Sequence, residues 1–157
     1  MRADGFASQR RRLQAVLRCA VAVVALAAWP AKAEAPADRY TVSAVQGLVT
    51  DLRTGLVWQQ TPNTTLYTWT AAATYCRSLT VGLTGGFRVP SFKELLTLID
   101  PVRSRPAVDL KAFPNTPGEW FWTASNRNPM GPAAVSFDTG ETSFFAPTAS
   151  LRVRCVR

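Results

Sequence analysis

Cys76 and Cys155 are the residues of this chain whose type and placement point to chemistry, and that chemistry is cross-linking. The third cysteine, Cys19, falls in an N-terminal apolar stretch that reads as an export signal, so an even pair remains. In a small exported domain an even pair reads as a disulfide. That removes both thiols from any catalytic role. Closing a loop of about 80 residues stabilises a fold by roughly 4 kcal/mol on the loop-entropy estimate. Histidine is absent, which excludes histidine-based triads and His-ligated metal sites. The acids do not converge either. Glu94 fits a helix cap, Asp51 and Asp138 fit turns, and Asp100 closes a helix. Asp109, Glu119 and Glu141 show no pairing. Acid–base catalysis needs convergent, tuned groups, so the expectation is a protein that is not an enzyme. No dense acidic loop suggests Ca²⁺, and no cofactor or metal is implied.

Binding chemistry is better represented. Arg103, Arg105, Lys111 and Arg127 fall in predicted loops, where a rigid scaffold presents contact groups. Guanidinium forks match sulfate and carboxylate oxygens two at a time. Asn126-Arg127-Asn128-Pro129 lies between two predicted strands and offers amides for hydroxyl groups. Trp120 and Trp122 share one strand face, and Trp120, which follows a loop, is the better candidate for an exposed stacking platform. The candidate ligand-binding residues are therefore Arg103, Arg105, Lys111, Trp120, Asn126, Arg127 and Asn128. Arg88, Arg152, Arg154 and Arg157 read as scaffold or rim charges.

The N-terminus changes the charge balance. Arg10, Arg11, Arg12 and Arg18 form a basic region ahead of Cys19 to Trp29, eleven apolar residues, too few to span a bilayer. Ala31-Lys32-Ala33 then supplies a small-x-small cleavage site. Residues 1–33 read as a signal peptide, and the mature chain is predicted to begin at Glu34 without a stable membrane span. That chain holds twelve basic and nine acidic side chains, a net charge of +3 instead of the +8 of the full sequence. The high isoelectric point is therefore no footprint for nucleic acid. The predicted location is periplasmic or extracellular.

A mature length of 124 residues suits one domain with one core. Residues 34–44 read as a polar lead. Val45 to Thr50 and Leu56 to Gln60 read as strands around a turn bracketed by Asp51 and Gly55. Thr68 can cap a helix whose stripe is Trp69, Ala72, Ala73, Cys76 and Leu79. Ser91 and Glu94 form a capping box for a second helix, which Asp100-Pro101 stops. Residues 101–119 carry four prolines and no periodicity and read as a long connection. Strands are predicted over Trp120 to Thr123, Ala133 to Asp138, Thr142 to Phe145 and Leu151 to Val156. The class is α+β, two helices packed on a small, mostly antiparallel sheet with one disulfide.

These segments in order carry a resemblance. They comprise V-x-D-x-x-T-G-L-x-W-Q (Val49 to Gln59), W-x-x-A…Y-C (Trp69 to Cys76) and G-F-R-V-P-S-x-x-E-L-x-x-L-I-D (Gly86 to Asp100). F-P-N (Phe113 to Asn115), F-W-T-A-S (Phe121 to Ser125), V-S-F-x-x-G (Val135 to Gly140) and V-R-C-V-R (Val153 to Arg157) complete the set. The pattern resembles the C-terminal domain family of collagen-like bacterial adhesins, the Lcl C-terminal domain, over roughly residues 45–157. The resemblance implies a C-type-lectin-like fold, export, and binding of sulfated or acidic polysaccharide by a homo-oligomer, the adhesins being trimers. It also agrees with a helix-to-last-strand cysteine pairing. Arg88-Val89-Pro90-Ser91…Glu94 and Arg154-Cys155-Val156-Arg157 also resemble the formylglycine-generating enzyme group, whose activity needs a separate reactive cysteine pair that is absent here. No Glu-Pro-Asn or Trp-Asn-Asp motif is present, so the Ca²⁺-dependent sugar site of animal lectins is not carried over. There is no collagen-like repeat. The expectation is an exported adhesion module for anionic glycans, with an envelope protein contact or structural role as the alternative and an enzyme related to the formylglycine-generating group as a third, less favoured reading.

Overall fold

The computed structural model describes residues 38–157. The predicted signal peptide lies outside the described residues, as do residues 34–37 of the polar lead. The remainder of the lead is not merely polar chain. Tyr40–Ser43 forms β1, which pairs antiparallel with β2 (Leu48–Asp51), and β2 pairs with β3 (Val57–Gln59). Two helices follow, α1 (Trp69–Ser78) and α2 (Phe92–Leu96). A second antiparallel sheet contains β4 (Trp120–Arg127), β5 (Gly131–Ser136) and β6 (Thr142–Phe144), in that order. The class is α+β, with the antiparallel strands divided between two three-stranded sheets.

What joins the sheets is the C-terminal segment. It was expected to be a strand, yet it makes only isolated bridges, from Leu151 to Tyr67, Arg152 to Phe121 and Val156 to both Trp58 and Arg88. The cause lies in its neighbours. Its backbone groups are taken in turn by Trp120, Tyr67, Arg88 and Val57, so no one partner runs alongside it. Val153, Arg154, Cys155 and Val156 are buried in succession, where a half-exposed strand would alternate.

Period-2 alternation in the strands feeds two cores. Val49, Phe121 and Val135 enter one cluster with Trp58, Leu95, Leu98, Phe113 and Phe137. Leu48, Trp122 and Ala134 enter the other with Ala72, Phe87, Val153 and both cysteines. Cys76 on the buried stripe of α1 is bonded to Cys155, with Cα atoms 5.5 Å apart across 79 residues of sequence. Thr68 caps α1 by accepting from the Ala71 N–H. Ser91 and Glu94 close both halves of a capping box on α2.

The long connection contributes to the core. Ala107, Val108, Ala112 and Phe113 are fully or nearly fully buried. The segment is fixed by the Ala107 N–H donating to Phe137 O and the Arg105 N–H to Asp138 O.

Candidate functional site

β4 changes register between Trp122 and Asn126, and the irregular stretch is tied to the start of α2. The Ala124 N–H donates to Pro90 O, and the Phe92 N–H donates to Ser125 Oγ. Thr123 Oγ1 accepts from the Ser125 N–H while donating to Ala133 O, so the bend is held from both sides. These bonds fix α2 beside the sheet and leave a groove of about 400 Å³ between them. Its apolar wall is Phe92, Ala133 and Phe144; Ser91, Lys93, Ser125, Asn126 and Arg127 complete the lining. A smaller cleft of about 270 Å³ adjoins it, lined by Ala73, Arg77, Arg88, Val89, Ser91 and Ala124.

The charges here are of one sign with one exception. Arg88 grips Glu94 with two hydrogen bonds of 2.7 Å, and the Ser91 N–H adds a third to the same carboxylate. The Arg88 hydrogen bonds hold the Glu94 carboxyl down to about 2, against the smaller opposing effect of its burial. That pair is self-neutralising. Arg77, Lys93 and Arg127 are exposed, and among the described residues none of the ion pairs includes them. The groove and cleft thus combine aromatic wall, hydroxyl and amide donors, and three uncompensated cations. Such a surface can hold an anionic ligand with hydroxyl groups.

The predicted binding residues divide. Asn126 and Arg127 line the groove, and Asn128 lies exposed in the turn just beyond it. Arg103 is paired with Asp100 at 2.9 Å. Arg105 stands in solvent with Asp138 3.9 Å away, and Lys111 is exposed on the same connection. None of these three lines either cavity. Trp120, expected as the exposed aromatic, is half-buried with its ring edge-on to Phe145 at 5.1 Å. The sheet edge that should have bared it is covered by Arg152, whose N–H donates to Trp120 O. Sequence reasoning missed Arg77, Phe92, Lys93 and Phe144 as site residues. Phe92 is half-buried within its helix and gave no signal; the exposed Lys93, inside the capping box, did.

Two further arginines, Arg152 and Arg154, are structural. Arg152 forks onto Glu119 at 2.8 and 3.0 Å and also donates to Thr64 O. Arg154 is no rim charge; it is completely buried. Its guanidinium donates to Gln59 O at 2.9 Å, Gln60 O at 2.5 Å and Thr116 Oγ1 at 2.5 Å, and lies 4.7 Å from the Phe113 ring centre. Burial pushes this group down to about 9, so it remains protonated at neutral pH.

A comparison with family models matches residues 47–157 to the Lcl C-terminal domain. The chain belongs to the Lcl C-terminal domain family. Membership marks it as an adhesion-type module, and the match takes in both helices, both cysteines and every residue of the groove. β1 precedes the matched span. No curated protein matches the chain. In this Lcl C-terminal domain, no helix among the described residues is long and apolar enough to cross a membrane. No group of three or more His, Cys, Asp or Glu side chains among them is placed to hold a metal ion.

Proposed function

We propose that this Lcl C-terminal domain is an exported, non-enzymatic adhesion module that binds anionic or sulfated glycans, on a C-type-lectin-like scaffold. One observation carries the reading: Lys93 and Arg127 flank the Phe92–Phe144 groove with Asn126 beside them and no carboxylate in the lining. Sugar rings stack their apolar faces on aromatics while amides and hydroxyls take their hydroxyl groups. Sulfate or carboxylate substituents would meet the two cations. Such contacts are screened by salt. A glycan array should therefore retain acidic glycans at low salt and release them as salt rises, and Lys93→Ala/Arg127→Ala should abolish retention. An array that retains no polyanion at low salt removes the proposal.

A second reading, contact with an envelope protein, is supported by Val45 and Leu83, both completely exposed. They belong to neighbouring turns, since a Cβ on Gly47 would stand 3.4 Å from Val81. Cross-linking from Val45 in envelope extracts tests this, and a contact of that kind would be insensitive to moderate salt.

A further inference from the structure

We propose that the groove and the smaller cleft form one track, and that its ligand is a linear acidic glycan long enough to occupy both at once. This rests on the binding role proposed above and adds the length of the ligand and its path across the surface. Ser91 lines both cavities. The strand residues that face them, Ala124 in the cleft and Ser125 in the groove, are consecutive in β4. A chain leaving one cavity therefore enters the other across a single side chain.

Uncompensated cations stand at both ends, Arg77 in the cleft and Lys93 with Arg127 in the groove. The adjacent acid, Glu94, lines neither cavity and is occupied by Arg88 and the Ser91 N–H. A polyanion following this path meets positive charge at each end and no opposing carboxylate in between. An acidic peptide is the rival occupant. Extended peptides draw affinity from an open strand edge, and here the Ala124 N–H is given to Pro90 O and the Ser125 N–H to Thr123 Oγ1. With these two amides occupied, the track's β4 wall offers side-chain hydroxyls and amides beside the aromatic faces of Phe92 and Phe144, and those suit sugar rings.

The test is calorimetric titration of the full chain with size-fractionated acidic oligosaccharides, disaccharide upward, at one low salt concentration. Once a ligand reaches both cavities the second contact becomes intramolecular, so affinity should step up by roughly tenfold or more at one chain length. Arg77→Ala should flatten that step. Arg53→Ala, an exposed cation in the β2–β3 turn outside both linings, should leave the series unchanged. A smooth rise without a step, or a step that survives Arg77→Ala, overturns the track while leaving the binding role standing. Failure of every oligosaccharide to bind overturns both. Poly-glutamate of matched charge that reproduces the step overturns the assignment of a glycan.

Discussion

Arg154 carries its charge among Phe113 and Phe137 with two backbone carbonyls and one hydroxyl as its acceptors. Removing it strands those acceptors in a dry interior, and each buried unsatisfied polar group costs about 1–3 kcal/mol. Relief of the buried charge offsets part of that loss. Arg154→Met should therefore destabilise the domain by about 3 kcal/mol in urea denaturation; a variant as stable as the parent would mean those carbonyls find other donors. Both folded and unfolded chains hold this proton at neutral pH, so Arg154 adds no pH dependence there. Glu94 does so in acid. Its folded value of about 2 lies below its ordinary 4.5, so its contribution is complete above pH 4.5 and lost as the pH falls through 2. Because Arg88 is half exposed, screening limits the effect to roughly 1 kcal/mol. Thermal melts from pH 5 to 2 should fall less steeply for Glu94→Gln, which keeps the cap, than for the parent; parallel curves would contradict this assignment.

Among the elements, the β4–β5 hairpin sets the groove, and Gly131 sets the hairpin. It has φ +97, and an added Cβ would stand 2.6 Å from Phe145 O. Strain and a backbone clash act together there, so Gly131→Ala should cost about 2 kcal/mol. Chemical denaturation of the variant checks it, and unchanged stability would show that β6 can yield. Elements specified by neighbours in sequence were legible before the structure. The Ser91–Glu94 spacing sufficed to place the start of α2, and the stripe through Ala72 and Cys76 placed α1. Elements fixed by distant partners were not. Ala107, Val108 and Phe113 follow no period, because a backbone bond from Ala107 to Phe137 and packing against Phe121, Val135 and Phe137 hold the segment. The tail from Leu151 looked like a strand since nothing local reveals that its partners change residue by residue. The candidate groove divided on the same line: Asn126 and Arg127, which the sequence places at a hairpin, line it. Phe92 and Phe144 were not legible, because they come to line one groove only when α2 packs on β4 and β5. Arg103 appeared available because proximity in sequence to Asp100 does not by itself show that the two side chains pair.

For the molecule as a whole, the Cys76–Cys155 bond spans the greater part of the described chain. Cys76→Ser/Cys155→Ser should lower stability by roughly 4 kcal/mol if the bond acts by restricting the unfolded chain. Urea melts of parent and variant measure it, and a loss under about 1 kcal/mol would show that packing alone holds the tail. The tail's position has a further consequence for biosynthesis. Polypeptides emerge from the ribosome N-terminus first, and here the residues that seal both hydrophobic interiors are synthesised after everything they seal. Nascent chains arrested before Leu151 should consequently remain protease-sensitive and show no cooperative transition. Vectorial synthesis thus keeps the residues before Leu151 open until the sealing segment has followed them, the condition in which an unfolded chain can still be threaded through a narrow channel.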